Sequence, residues 1–248
     1  MSAGHHTPIQ QFEVHPIVNI DPVFGYDLSF TNASLFMVLT VISIVLFYNL
    51  AMRRRAMVPG RWQSMAEVTY QFVEGIVDEN AGHAGRKYFP VIFSVFMFIL
   101  FANLLGMVPY SFTVTSHIIV TFALGAAVFL SILLIGLIKQ GPIKFFAHFI
   151  PDGLPLWIAP IVFLIELVSF LSRPASLAIR LAANMMAGHT LLKVIAAFVV
   201  PLGIFGVAPM AFLVLLNAFE VFVAILQAYI FTLLACMYLG EALHEEAH

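Results

Sequence analysis

The sequence predicts an all-α protein that crosses a membrane several times. Three observations carry that reading. Apolar residues make up 62% of the 248 and charged residues only 10%, whereas soluble domains sit near half and a quarter. Several apolar stretches reach or exceed the roughly twenty residues needed to cross hydrocarbon about 30 Å thick. The few polar residues inside the longest of them recur at helical spacing. The net charge of -2 is too small to point to a nucleic-acid partner. The single cysteine, Cys236, rules out an intrachain disulfide and reads as a small packing residue.

The first thirty residues are polar, contain His, Pro, Glu and Asp but no Lys or Arg, and show no cleavable signal peptide. Residues 1–32 are therefore expected as an extracytoplasmic tail. Ala33 to Met52 is the first span. The basic cluster Arg53, Arg54, Arg55 and Arg61 places its end in the cytoplasm, or an organelle matrix, by the positive-inside rule. Trp62 to Glu79 carries Met65, Val68, Phe72, Val73, Ile76 and Val77 with acids between them, the pattern of a surface-lying or packed helix. Arg86 and Lys87 open the second span, Phe89 to Pro109, from the inside. His117 to Ile138 is the third, and Lys139 and Lys144 place its end inside. Gly141-Pro142 and Pro151 to Pro155 frame a short interfacial segment with Phe145, Phe146, Phe149 and Ile150.

The last apolar region is too long for ordinary spans. A helix from about Leu156 to Val199 would reach roughly 65 Å at 1.5 Å per residue, and one from about Met210 to Leu243 roughly 50 Å. Break signals at Pro201, Gly203, Gly206 and Pro209 separate them. The expected arrangement is about three upright transmembrane helices, an interfacial helix and a long, strongly tilted antiparallel C-terminal hairpin. The alternative is upright helices broken at Pro174. Residues 33–240 form one membrane domain on this reading, and residues 241–248 a solvated tail.

Arg180 is the most telling residue of that region. Arginine stays charged in a protein, and a fixed cation at membrane depth costs at least about 2.5 kcal/mol. Glu166, Arg173 and Arg180 are spaced by seven, and Ser169, Ser176 and Asn184 fall within about 40° of Arg180 on a helical wheel. His189 lies on the opposite face. In the second long helix Glu220 and Gln227 are also spaced by seven, with Asn217 one turn before Glu220. Interhelical hydrogen bonds would account for Asn217 or Ser169 alone. They account poorly for an arginine, two glutamates and a histidine, a set that points to an ion or proton pathway.

The run Leu171-Ser172-Arg173-Pro174-Ala175-Ser176-Leu177-Ala178-Ile179-Arg180-Leu181-Ala182-Ala183-Asn184-Met185-Met186-Ala187-Gly188-His189 resembles the signature of subunit a of F-type ATP synthase. Glu220 followed by Ile225-Leu226-Gln227-Ala228-Tyr229-Ile230-Phe231-Thr232-Leu233-Leu234 is similar to that family's last helix, and Phe101 to Pro109 to its second span. The common bacterial pattern has Glu where this chain has His189, and His where it has Glu220. The exchanged pair here resembles the mitochondrial form.

The resemblance implies the static half of a rotary motor. Its partners would be a c-ring of hairpins with one membrane-embedded carboxylate each, the subunit b peripheral stalk, the remainder of the complex and the lipid bilayer. Arg180 would face the ring. Two unit charges about 4 Å apart interact by roughly 4 kcal/mol at an effective dielectric of 20, enough to lower a carboxylate pKa by about 3. An arriving ring carboxylate would then release its proton, and protons would ride the ring between two offset half-channels. The family places the equivalents of Asn184, His189, Glu220 and Gln227 on the uptake side and Glu166 near the release side. It implies no cofactor, no metal and no nucleotide site in this chain. The implied location is a bacterial inner membrane, or the mitochondrial inner membrane as the alternative.

Other readings fit less of the sequence. A self-contained secondary transporter or ion channel would favour internal repeats with paired broken helices, and the two halves show none. A membrane-arm subunit of a respiratory complex could also use long lateral helices. The ending His244-Glu245-Glu246-Ala247-His248 fits H-E-x-x-H, but no further ligand follows, so a solvated tail is expected rather than a zinc site. His5-His6 is a stray pair, and Asn32-Ala33-Ser34 abuts the membrane, which discounts glycosylation. No G-x-x-x-x-G-K-[ST] occurs.

The loop charges predict the N-terminus outside, and an odd number of crossings, three clear spans and a hairpin that together crosses an even number of times, predicts the C-terminus inside. With Cys236 replaced by serine, a cysteine at Gly4 is expected to react with an impermeant reagent only from outside, and one at Ala247 only from inside. Reaction of the Gly4 position only from inside would reverse the orientation.

Overall fold

The computed structural model describes residues 13–18, 29–53, 56–108, 111–147 and 157–243. A short antiparallel pair, β1 (Pro16–Val18) and β2 (Phe30–Thr31), precedes the helices. Most of the other described residues are helical, and among them five helical stretches are long and apolar enough to cross a membrane. The chain is thus an all-α polytopic membrane protein, because in hydrocarbon a helix satisfies its own backbone groups.

α1 (Asn32–Ala51) contains no glycine or proline, and the Thr31 side chain caps it by accepting from the Ser34 amide. Its many exposed apolar residues, Val38, Ile42, Val45 and Leu46 among them, suit a lipid-facing surface. The Gln63 side chain then holds the loop before α2 (Arg61–Gly85) by accepting from the Ala56 amide and donating to its carbonyl. The apolar residues foreseen on α2 divide: Val73, Ile76 and Val77 are buried, whereas Met65, Val68 and Phe72 are exposed. Helical structure also runs past Glu79, although Gly82 interrupts it with a φ of 59°, a conformation that suits glycine.

α3 (Phe89–Gly106) stops short of Pro109, which lies outside the described residues. The Ser111 and Thr113 hydroxyls both donate to the Gly106 carbonyl and close its end. α4 (Ile118–Gln140) runs two residues beyond Ile138. Gly141, at φ 79°, ends it, and Pro142 starts α5 (Pro142–Ala147). Phe149, Ile150 and Pro151 to Pro155 lie outside the described residues, as do Arg54 and Arg55.

α6 (Ala159–Val199) is one helix of 41 residues with Pro174 inside it, so the alternative broken at Pro174 is set aside. Gly203, at φ 55°, opens a short 3-10 turn to Gly206. α7 (Val207–Leu243) starts earlier than Met210. Pro209 falls in its first turn, where no intrahelical N–H is needed. At 1.5 Å per residue, α6 is about 62 Å long and α7 about 55 Å.

The chain forms two compact units. One comprises the described residues of Met1–Arg54, Met97–Ile118 and Leu181–Ala228, and the other those of Arg55–Phe96, Ile119–Arg180 and Tyr229–His248. The first buries Met97, Ile99, Leu181, Met185 and Ala224, with Phe47 against Phe101 at 5.7 Å between ring centroids. The second buries Val73, Val77, Leu177, Phe231 and Leu239, with Phe129 against Phe170 at 4.7 Å. Close helix approach there depends on glycine. A Cβ at Gly240 of α7 would strike the Asn80 carbonyl of α2, and one at Gly136 of α4 would strike the Phe145 ring.

Gly240→Ala is expected to destabilise the detergent-solubilised protein by about 1–3 kcal/mol, the scale of overpacking. Gly75→Ala, whose Cβ meets open space, should instead stabilise α2 by about 0.5–1 kcal/mol. Thermal unfolding of both variants checks the contrast. A Gly240→Ala midpoint at or above that of the parent would contradict the packing.

Candidate functional site

In the first unit, the C-terminal half of α6 meets the N-terminal part of α7. The Asn184 carboxamide donates to the Gln227 side-chain oxygen Oε1 at 3.2 Å. His189 Nδ1 lies 2.7 Å from a Glu220 carboxylate oxygen, and the two side chains are only 11% and 6% exposed. Advancing along α6 from 184 to 189 goes with moving back along α7 from 227 to 220, which makes the two segments antiparallel. Gly188 permits the contact, since a Cβ there would press on the Glu220 carboxylate.

A third helix joins. Asn103 of α3 is fully buried and donates to the Ala224 carbonyl of α7 at 3.2 Å. Among the described residues, Asn103 Oδ1 and Gln227 Nε2 are buried without a hydrogen-bond partner. Each therefore keeps hydrogen-bonding capacity beside the His189–Glu220 pair's own helices. A cavity of about 960 Å³ reaches His189, lined also by Lys193 and Asn217 together with Glu13, His15 and Asn32. The Asn32 carboxamide accepts from the His15 amide at 3.2 Å and donates to the Glu13 carbonyl at 3.0 Å, which ties the N-terminal strand to the start of α1.

In the second unit, Arg173 is the hub. Its guanidinium donates to Glu241 at 2.9 Å and to Glu166 at 3.5 Å, and lies 4.7 Å from the Tyr238 ring centroid. The two glutamate side chains are 44% and 50% exposed, so water screens these pairs and each is worth at most about 1 kcal/mol. Arg180 is different. It is exposed, with Ser169 and Ser176 exposed on the same face of α6. Among the described residues its guanidinium makes no ion pair or hydrogen bond.

The residues picked from the sequence thus separate into His189–Glu220, Asn184–Gln227 and Arg173–Glu166 contacts, while Arg180 stands apart and Asn217 lines the cavity. Glu241, Tyr238, Asn103, Gly188 and Lys193 were not foreseen as part of the site. Asn103 carried a readable signal, a lone amide in an apolar span. Glu241 carried a weaker one, a carboxylate at the end of the last long apolar run. His5-His6 and His244 to His248 lie outside the described residues. The Asn32 side-chain amide is engaged by the segment leading into β1, through the Glu13 carbonyl.

Comparison with known proteins points the same way as the residues. The ATP synthase A chain family matches this chain over residues 34–240. ATP synthase subunit a of Neorickettsia sennetsu (strain ATCC VR-367 / Miyayama) is 53% identical over 241 residues, covering 96% of this chain and 98% of that one. ATP synthase subunit a of Wolbachia sp. subsp. Drosophila simulans (strain wRi) is 51% identical over 236 residues, covering 95% and 98%. That of Wolbachia sp. subsp. Brugia malayi (strain TRS) is 49% identical over the same length and shares.

The 2.7 Å contact predicts strong coupling between His189 and Glu220. In a double-mutant cycle on thermal stability, His189→Glu and Glu220→His are each expected to destabilise, and the doubly exchanged chain to recover at least about 1 kcal/mol of their sum. Simple additivity would remove the pairing.

Proposed function

The chain belongs to the ATP synthase A chain family, and on that premise we propose that it is the proton-conducting stator subunit of the enzyme's membrane sector, with Arg180 facing a rotating ring of carboxylate-bearing helices. One observation carries the reading: a permanent cation exposed on an apolar helix, with no counter-ion among the described residues of its own chain. Such a charge is tolerable at membrane depth when an anion on another subunit neutralises it. A ring carboxylate meets that need.

The other groups support a path to and from that carboxylate. Protons reach His189 and Glu220 from the cavity; an imidazole and a carboxylate in contact can exchange a proton with little movement. Asn184, Gln227 and Asn103 offer hydrogen bonds along α6, α7 and α3, and the spare donor and acceptor there suit a chain of waters. Arg180 drives the arriving ring carboxylate to its ionised form and bars protons from crossing directly. On the release side Arg173 holds Glu166 and Glu241 in an exposed, water-accessible cluster that accepts protons leaving the ring. Each proton crossing yields about 2.3 kcal/mol per 100 mV of membrane potential, which the ring carries as rotation to nucleotide sites on other subunits. The chain holds no nucleotide site of its own. It works beside the subunit b stalk in a bacterial inner membrane.

Arg180→Ala is expected to assemble with the complex yet abolish ATP synthesis driven by a proton gradient. Arg180→Lys should also lose most activity, because lysine deprotonates when desolvated and lacks the planar fork. Vesicles carrying Arg180→Ala that made ATP at near wild-type rates would overturn the reading.

A further inference from the structure

We propose that the second unit holds one anionic phospholipid of the inner leaflet, with an acyl chain in a cavity between α3, α4 and α7 and the headgroup on Lys87 and Lys139. The inference stands apart from the proton route and rests on the orientation that the basic loops give. The cavity holds about 120 Å³. Its lining is predominantly apolar. Ile92, Ile132, Ala235 and Leu239 are buried in its floor, and Val91 and Ser131 are exposed at its rim. The Ser131 hydroxyl donates to the Ala127 carbonyl of its own helix at 2.7 Å, so its hydrogen is already spent. An apolar hollow of this kind does not hold water, and left empty it forfeits dispersion contacts along its wall. An acyl chain restores those contacts, and the bilayer presents one at the rim.

The lining confines that chain to one leaflet. It runs from Tyr88 to Val95 along α3 and from Val128 to Ile135 along α4, about 10 Å on each at 1.5 Å per residue. Hydrocarbon is about 30 Å thick, so a groove that starts at the inner interface ends short of the midplane. α3 starts at that interface and α4 ends there, which puts Tyr88 and Ile135 at the mouth. Lys87 precedes Tyr88, and Lys139 follows Ile135 by one turn on the same face. Both lysines are exposed. Among the described residues neither ammonium makes an ion pair or hydrogen bond. Carboxylates at this end have other partners: Arg86 donates to Asp78 at 2.6 Å, and Arg173 to Glu241 at 2.9 Å. α3 and α4 contain no acid, and Glu79 of α2 does not line the cavity. Gln140 holds the mouth in shape by donating to the Ala242 carbonyl at 3.0 Å, which ties the end of α4 to the end of α7. Two cations above an apolar slot complement a phosphodiester above its acyl chains.

The test uses the whole ATP synthase complex in phosphatidylcholine nanodiscs. A trace of phosphatidylglycerol with a photoactivatable diazirine in its acyl chain is added, and the matching phosphatidylcholine probe serves as comparison. After irradiation, labelled residues of the chain are mapped by mass spectrometry. The phosphatidylglycerol probe is expected to label the cavity wall at Val91, Ile92, Ile132 or Ile135, and the phosphatidylcholine probe hardly at all. Lys87→Gln and Lys139→Gln should each lower that labelling about fivefold, and Lys87→Arg and Lys139→Arg should keep it. Raised ionic strength should lower it in wild type. Ser131→Leu, which fills the rim, should remove it with both lysines in place. Equal labelling by the two probes, or labelling unchanged by both glutamine variants, overturns the proposal. So does a wall that carries no lipid label and cross-links to another subunit instead, since the cavity would then be a protein contact. If the glutamine variants do not assemble, the two probes on the wild-type complex decide alone.

Discussion

Hydrocarbon gives a polar side chain no hydrogen-bond partner, so every polar group on α6 and α7 must find one in protein or reach water. That constraint sets how the two helices meet. In one unit Asn184 finds Gln227 and His189 finds Glu220; in the other Arg173 finds Glu241. In the first of these units the paired positions rise along α6 as they fall along α7. A slip by one residue there would rotate each polar side chain by about 100° and unpair both contacts at once. Apolar side chains on the same helices could repack with far less loss. The polar contacts, rather than the bulk of the apolar surface, thus specify register.

Small residues make the contacts possible. Gly188 leaves room for the Glu220 carboxylate, Gly125 lets α4 approach the Pro174 carbonyl, and Gly240 lets α7 lie on α2. Lipid offers no hydrophobic drive for helices to associate, so close backbone approach and the dispersion it allows must supply the attraction. The rigidity that results matters for the proposed role. A stator has to hold its charges still while another subunit moves past them. Arg180 is the exception that this role needs, a charge left exposed for a partner outside the chain.

Much of the fold was legible because membrane physics leaves few options. Long apolar runs, basic loops and helix-breaking Gly and Pro placed α1, α3, α4 and the two long helices within a few residues. Boundaries moved where local chemistry outweighed hydropathy: Pro209 inside the first turn of α7, α2 running past Glu79 to Gly85, and the hydroxyl-capped end of α3 at Gly106. The site was legible by residue type and only partly by partner. The period of seven picked out Glu166, Arg173, Arg180, Glu220 and Gln227, yet period alone does not say which helix a side chain meets. Glu241 was assigned to a tail because it sits near the end of the chain, although it lies in the last turns of α7.

The most direct test of the account is whether the Arg180 face of α6 lies against the ring. With Cys236 replaced by serine, single cysteines at Ser176, Ala183 and Ala187, all exposed on that face, would be oxidised in membranes against a series of single cysteines along the ring's outer helix. The account predicts disulfide-linked products between the chain and the ring subunit at these positions, falling off for cysteines at the buried Leu181 and Met185. Cross-linking confined to other faces of α6, with none from Ser176, Ala183 or Ala187, would contradict it.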